Sequence, residues 1–442
     1  MNLIFFILIF LLQSGLVISQ SIPQNHYSYQ SRKLLYDAGN DWNTLTVFGP
    51  IRFKSKKMNL SSYSDWRIGL SFGNQSYSIN GYGLFKYNNH YYGYYYPSFL
   101  GKIESSKIEK SVLVNEDSQS GIGLENQWIM LQFGRGNENW GSGNDIQLAL
   151  SENSGNYDYL TLASNYGKVR VKYIYGFLEN VRPNVNRYIT ARGLEWTNRK
   201  SLIIGLSETV IYSGENRLID IGYLNPMSSH LEIELNNRLN TLGDGNSNAV
   251  WQFHLDYLLF KNFRVSLNYL YDEFVFDPDI QIGKEHGKAY SIRMAYTPIF
   301  SNNHLFTLYS NFIYVGSPTF RHGLGTNNFV QDGRPLGWYM GIDGQEFCIG
   351  INYFNNDNLI LTFSNGFLQI GEETITSRIF EPYADYQKGE FPSGKVISGF
   401  NYKAKIIYFL SKNHSVSAQL EKSPIADEIY FKVNVPFSSS IK

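Results

Sequence analysis

The feature that constrains this chain most is alternation, repeated along its length. In "VRVKYIYGF" the residues Val169, Val171, Tyr173, Tyr175 and Phe177 share one face, opposite Arg170 and Lys172. In "WQFHLDYLL" the apolar face is Trp251, Phe253, Leu255, Tyr257 and Leu259, opposite Gln252, His254 and Asp256. "FRVSLNYLYDE", "AYSIRMAY" and "GFNYKAKIIYFL" repeat the pattern at Phe263–Tyr271, Tyr290–Tyr296 and Phe400–Leu410, the last against Asn401, Lys403 and Lys405. Period two gives a strand one apolar and one polar face. Faces of five apolar residues are long for soluble strands, which average ~5–6 residues in all.

Short turns such as "KNH" at Lys412–His414, "FNNDN" at Phe354–Asn358 and "SNNH" at Ser301–His304 separate some of the runs. Longer polar segments separate others: Ser213–Asn216, Asn240–Asn248, Asp277–Lys288, Ser317–Trp338 and Ile370–Val396. Short turns at one end and long loops at the other is the plan of a transmembrane β-barrel, with lipid-facing apolar residues and lumen-facing polar ones. A soluble barrel reverses the two faces, and periodicity alone does not separate the cases. Tyr296, Tyr314, Tyr353 and Phe354 stand at strand ends, where such a barrel carries interfacial aromatic girdles. About 423 mature residues at about 23 per strand and connection predict roughly 16–18 strands.

The first residues add a compartment. "MNLIFFILIFLLQSGLVISQ" has an apolar run at Leu3–Leu12, with Val17 and Ser19 at small-residue positions before a cut at Gln20. It reads as a secretory signal over 1–19, and the run is short of the ~20 residues a spanning helix needs. The rest, 20–442, reads as one barrel. The strand "EIYFKVNVPF" ends it in an aromatic, as outer-membrane barrels do, with a tail at Ser438–Lys442. Lys plus Arg and Asp plus Glu balance at 38 each, so no global field draws nucleic acid. The one cysteine, Cys348, forms no internal disulfide and no zinc cluster.

No catalytic motif with a mechanism stands in the chain, and the expectation is a protein that is not an enzyme and uses no metal or cofactor. The glycines of "GRGNENWGSGNDIQLALSEN" lack the spacing and the following helix of a phosphate loop. They read as a rim loop at Gly134–Asn144, with a strand beginning at Ile146–Leu150. Trp140 is either an anchor packing that loop or a platform for a sugar ring. His230 beside Ser228 and Ser229 is a loop grouping of the kind a barrel lipase uses. "GYGLFKYNNHYYGYYYPSF" is two strands turning at Asn88–Asn89, or an aromatic platform. Glu195 with Arg192, and Glu208, read as lumen charges meeting Arg170 or Arg187, in a network bracing the interior. The loop Gly316–Glu346 mixes Arg321, His322, Asp332, Arg334 and Trp338 with glycines. Aromatic faces cover the C–H side of a sugar, while amides, carboxylates and guanidinium groups bind its hydroxyl and acidic groups. The same loop also reads as a packed constriction with no ligand.

Four segments carry a resemblance: "ENWGSGNDIQLALSEN", "NRYITARGLEWTNRKSLIIGLSETVIYSGE", "YLNP" at Tyr223–Pro226 and "RPLGWYMGIDGQEFCIGINYF". In order and spacing the chain resembles the Wzi-like capsule assembly proteins, outer-membrane barrels of capsulated Gram-negative bacteria. The resemblance runs from Trp128 onward and is weaker before it. It implies a closed barrel of about 18 strands and a lectin-like role, holding capsular polysaccharide at the cell surface. A periplasmic helical element near the N-terminus is part of that family's plan, for which Gln24–Asp41 is short. The expected sugar contacts are Trp140, Arg321, His322, Asp332, Arg334 and Trp338. The expected partners are surface polysaccharide, outer-membrane lipids and the barrel assembly machinery, with a monomeric barrel. A porin or sugar channel is the alternative.

Overall fold

The structure, a computed structural model, describes residues 62–437 apart from 74–75, 88–89, 103–112, 115–117, 127, 183, 237, 239–246, 273–284, 302–303, 323–324, 356–357, 377–388, 411–414 and 426. Ahead of these it describes residues 34, 36–38 and 47–48. The leader expected at 1–19 and the tail at 438–442 lie outside the described residues.

The alternating runs are strands. β1 is Ser62–Gly73 and β2 is Ser76–Tyr87. β3 runs over Tyr91–Tyr96 and resumes at Ser98–Lys102, and β4 is likewise split into Leu113–Val114 and Gln119–Glu125. The break in β3 is Pro97, which has no N–H to give a ladder. Then come β5 Ile129–Gly136, β6 Tyr157–Asn165, β7 Val169–Arg182, β8 Val185–Thr197 and β9 Leu202–Glu215. β10 is Ser247–Phe260, β11 Phe263–Tyr271, β12 Lys288–Phe300 and β13 His304–Val315. The last five are β14 Gly344–Asn355, β15 Leu359–Ile370, β16 Ile397–Phe409, β17 Ser415–Lys422 and β18 Asp427–Phe437. Twenty strand segments share one sheet, and because two strands are split once each they make 18 staves.

Each stave pairs antiparallel with its sequence neighbours. β1 also pairs with β18, from Trp66 opposite Phe437 to Gly73 opposite Tyr430, which closes the ring. Closure removes the open sheet edge that an aromatic-rich sheet of this size would otherwise present.

One end has tight turns, as at Asn165/Val169, Thr197/Leu202, Phe260/Phe263 and Asn355/Leu359. The other carries the long connections after β5, β9, β11, β13 and β15. One expected loop is corrected: Ser213–Glu215 continues β9, and the excursion starts after it. In transmembrane barrels the short-turn end is periplasmic and the long-loop end extracellular.

The wall is inside out relative to a soluble protein. In β8, Leu194 is 52% exposed and Trp196 42%, while Glu195 between them is 0% exposed. β7 repeats this, with Val169 and Phe177 outward and Arg170 and Lys172 buried inward. Water does not reward an outward apolar face of this extent, but hydrocarbon does. Aromatic residues near the short-turn end, among them Trp128, Tyr166, Trp196 and Phe260, are exposed. Tyr296 also faces out, but Phe354 does not. Phe354 lies on the inward parity of β14 and packs with Leu34, Leu305 and Ile360. The tyrosine-rich stretch is two strands as expected: Tyr91 and Tyr95 face out, and Tyr92 and Tyr94 are buried inward, both bonded to Gln132.

The largest apolar cluster lies inside the ring. It joins inward wall residues such as Ile174, Ile189, Ile203 and Leu270 to loop residues Trp140, Leu148, Phe329, Leu336 and Trp338. The lumen therefore holds a core made by its own loops.

Candidate functional site

The first of these loops, residues 137–156, leaves β5 and folds down into the lumen. Ile146, Leu148 and Leu150 are fully buried there and form no strand, and the next stave begins only at Tyr157. The expected rim loop and strand are corrected: Gly134–Gly136 belong to β5, and the apolar run that resembled a strand is the core of a plug. Trp140 is buried, with its ring 4.9 Å from Phe48 and its indole N–H donating to Glu138 Oε2 at 2.9 Å. Lys172 Nζ, from the wall, meets the same oxygen at 2.5 Å. Trp140 thus packs the loop against Phe48 and the wall.

The second loop, residues 316–343, packs on the first. Ser151 N–H donates to Leu336 O at 2.7 Å and Ser151 Oγ to Gly337 O at 2.5 Å. A Cβ on Gly337 would lie 1.6 Å from Leu148 O, so only glycine allows this approach. A two-stranded ribbon, Val330–Gln331 with Arg334–Pro335, has Asp332 and Gly333 at its tip. Asp343 fixes the third loop, after β15: its carboxylate accepts from Ser317 Oγ, Ser393 N–H and Glu373 N–H.

The described N-terminal residues enter from the short-turn end. Asp37 holds Arg293 through two bonds of 3.0 and 2.6 Å, and Tyr36 bonds Asp256, which also pairs with Arg264. Val47 N–H donates to Glu195 Oε2 at 2.8 Å, and Lys172 Nζ donates to Phe48 O at 3.0 Å. Gly193 and Gly205 face this segment, and a Cβ on either would strike Phe48 or Val47. The segment also joins the plug, since Gly141 N–H donates to Val47 O at 2.7 Å.

The expected lumen charges divide between two faces. Arg170 and Glu195 pair at 2.9 Å, both buried, as cross-strand neighbours and not across the lumen. Arg187 faces in too, bonding Glu179 at 2.6 Å. Glu208 is corrected. It has the parity of exposed Leu206, opposite that of Ser207, whose Oγ meets inward His254. Arg192, three residues from Glu195, has the opposite parity in the strand and also faces out, pairing with Glu208 at 3.2 Å. Both are covered by the excursion after β9, called the flap below. It contains α1, Ile221–Leu224, capped by Asp220, and α2, His230–Leu235, capped by Ser229. Glu208 accepts from His230 N–H and from Trp251 Nε1, both at 3.0 Å. His230 Nδ1 faces Tyr223 OH at 2.8 Å, and Ser228 Oγ bonds Asn225 and Arg238. Burial lowers the His230 pKa to about 4, against the pull of Glu208 and with the push of Arg192 and His322. That grouping is structural packing, not a serine–histidine pair.

Among the sugar contacts expected from sequence, Trp140, Trp338 and Arg321 are buried. Trp338 Nε1 reaches Glu346 at 3.4 Å, and Arg321 pairs with Glu373 at 2.8 Å. His322, Asp332 and Arg334 are half-buried. Burial also lowers the His322 pKa. A face missed from sequence is solvent-accessible. On β16 and β17 the inward side chains Lys403 and Glu421 pair at 3.3 Å and remain 47% and 39% exposed. Beside them Tyr339, exposed, hydrogen-bonds Glu346, which also accepts from Asn401 Nδ2 at 2.5 Å. The signal was present: Asn401 and Lys403 alternate with Phe400 and Tyr402, but nothing in the pattern says which inward polar residues the plug leaves uncovered. Among the described residues, no three His, Cys, Asp or Glu side chains group to hold a metal ion.

No protein-family profile and no curated protein sequence matches the chain. Solved structures do. Wzi of Escherichia coli, described as an outer-membrane, carbohydrate-binding β-barrel involved in group 1 capsule assembly, superposes with a TM-score of 0.61 at 11% identity, over 85% of each chain. OprD of Pseudomonas aeruginosa superposes with a TM-score of 0.47 at 10% identity, over 86% of this chain and 96% of that one. The likeness to Wzi holds for the fold: a closed, all-antiparallel barrel of the outer-membrane type.

Proposed function

We propose that this protein is an outer-membrane barrel that binds surface polysaccharide and helps hold it in a capsule, without catalysing a reaction. The observation that carries this is the filled lumen. Three loops and the N-terminal segment interlock inside the ring through buried ion pairs and an apolar core, an arrangement suited to a binding scaffold more than to a wide pore. The carbohydrate binding described for Wzi supports the same reading.

The contacting surface we assign is the accessible inner patch of Tyr339, Asn401, Lys403 and Glu421, with His322, Asp332 and Arg334 as further half-buried groups of the loop that carries Tyr339. A ring face, an amide and charges of both signs are the groups that grip sugar hydroxyls and uronic acids. Trp140, Trp338 and Arg321 shape the loops that present this surface. The protein acts as a monomer among outer-membrane lipids, after removal of residues 1–19 and insertion by the barrel assembly machinery.

The test is retention on immobilised capsular polysaccharide from the producing cell. Wild type is retained and a Tyr339→Ala/Lys403→Ala variant is not. Equal retention of the two overturns the site, and no retention of wild type overturns the function. The second reading, a sugar channel, draws on the water-exposed inward charges Lys403 and Glu421. A large steady conductance in a planar bilayer would favour it over the closed binder.

A further inference from the structure

The flap lies on the outside of the wall, and much of its exposed surface is aliphatic. The wall beneath it is the outer face of β7 to β10. There the regular apolar exterior fails: Arg192 and Glu208 point outward, at the same parity as lipid-facing Leu194 and Leu206. An ion pair facing hydrocarbon is costly, and such residues normally turn to protein or water.

The flap covers them. Arg217 stacks 4.5 Å from the Tyr212 ring, Tyr212 stacks on Tyr223 at 4.5 Å, and Tyr173 OH donates to Tyr223 O at 2.7 Å. The aromatic residues of the flap and several of its polar ones are thus packed on the wall. Its open surface is rich in aliphatic residues: Met227 is 88% exposed, Leu235 80% and Ile221 79%, with Leu218 and Leu231 also exposed, alongside polar groups such as the Glu232–Arg238 pair. So dense a set of bare aliphatic residues on one short excursion is not a surface that water tolerates well.

We propose that the flap is a lipid-facing patch of the barrel exterior, seated in the outer leaflet beside the wall and touching acyl chains through Ile221, Met227 and Leu235. Two observations converge on lipid as the occupant. The flap is laterally continuous with the apolar belt at Leu194 and Leu206, and it replaces that belt where the wall itself is charged. Helices that lie in the interface in this way bury their apolar side about 5–10 Å into the headgroup–acyl boundary. The proposal rests on the membrane reading of the barrel.

The experiment uses nitroxide labels on the full chain in phosphatidylcholine–phosphatidylglycerol vesicles. The native thiol is first removed as Cys348→Ser. Labels are then placed singly by Met227→Cys, Leu235→Cys, Leu206→Cys on the wall and Lys200→Cys on a short turn. Relaxation by oxygen is compared with relaxation by a water-soluble nickel chelate. The flap labels are expected to favour oxygen, nearer to Leu206→Cys than to Lys200→Cys. Chelate-favoured relaxation at either flap position, with Leu206→Cys in lipid, overturns the flap proposal alone. Chelate-favoured relaxation at Leu206→Cys overturns the membrane reading itself.

Discussion

Arg192 and Glu208 stand 3.2 Å apart on the outside of the barrel wall, sealed under the flap. Removing one partner leaves the other without its counter-charge, whereas replacing both with apolar groups does not. Glu208→Ala is expected to lower stability by about 3 kcal/mol, and Arg192→Met with Glu208→Met to recover the part owed to the unpaired guanidinium but not the part owed to the His230 and Trp251 N–H donors that lose their acceptor. Urea midpoints in vesicles, followed by tryptophan fluorescence, check both. Equal losses in the single and double variants would mean that the pair matters only for shape.

The flap should loosen in acid. His230 has its pKa lowered to about 4 by burial, below the 6.5 of a free imidazole. In the open flap it takes up a proton near 6.5, and in the closed flap only near 4. The closed form is therefore fully favoured above pH 6.5 and loses that advantage as pH falls from 6.5 to about 4. Tyr223, Glu208, Glu234, Arg192 and His322 surround the ring. Protection factors at residues 221–235, with the intrinsic exchange rate corrected for pH, are expected to fall between pH 7 and 5 in wild type and to change less in His230→Gln.

Gly337 is the tightest point of the plug. Gly337→Ala drives a methyl into Leu148 O, so the loops at 137–156 and 316–343 must separate. The cost expected for such overpacking is about 1–3 kcal/mol. The readout that distinguishes a parted plug from general weakening is conductance: current steps in planar bilayers that wild type lacks.

The N-terminal segment should come free when its main ionic tie is cut. Asp37→Ala removes both bonds to Arg293 and the one from Asn144 Nδ2 at 3.1 Å. Arg293 keeps Asn311 at 2.8 Å and the Tyr309 ring at 3.9 Å, so the wall should hold. Added protease is expected to clip the chain ahead of β1 in this variant and to leave β1 to β18 intact. Resistance equal to wild type would mean that Tyr36, Val47 and Phe48 suffice to hold the segment.

Legibility in the sequence ended where periodicity ended. Strict alternation made β7, β10, β11 and β16 readable, because side chains of a strand must point to opposite faces. The inside-out sense was expected from the strand length, the loop asymmetry and the apolar run read as a leader. The strand parity that carries this argument also exposes its slip. Arg192 and Glu195 are three apart, so they cannot share a face, and Glu208 follows Arg192 outward. The run at Ile146–Leu150 misled for a related reason: a plug segment buried on all sides shows the same short apolar pattern as a strand. The buried roles of Trp140 and Trp338 depend on contacts with Phe48 and Leu148, far away in the chain. No local pattern encodes such partners.

The pairing of Trp66 with Phe437 has a consequence for the order of events in folding. Hairpins along the wall need only neighbouring residues, but this seam needs the two extremes of the sheet to meet. Topologies dominated by such distant contacts fold slowly, because the entropy of a very long loop is lost before the contact rewards it. Until β18 arrives, β1 is a bare edge, able to pair with any passing strand. The half-made barrel is thus the vulnerable form of this protein, and whatever shelters β1 during that interval decides how much of the chain reaches the membrane as a closed ring.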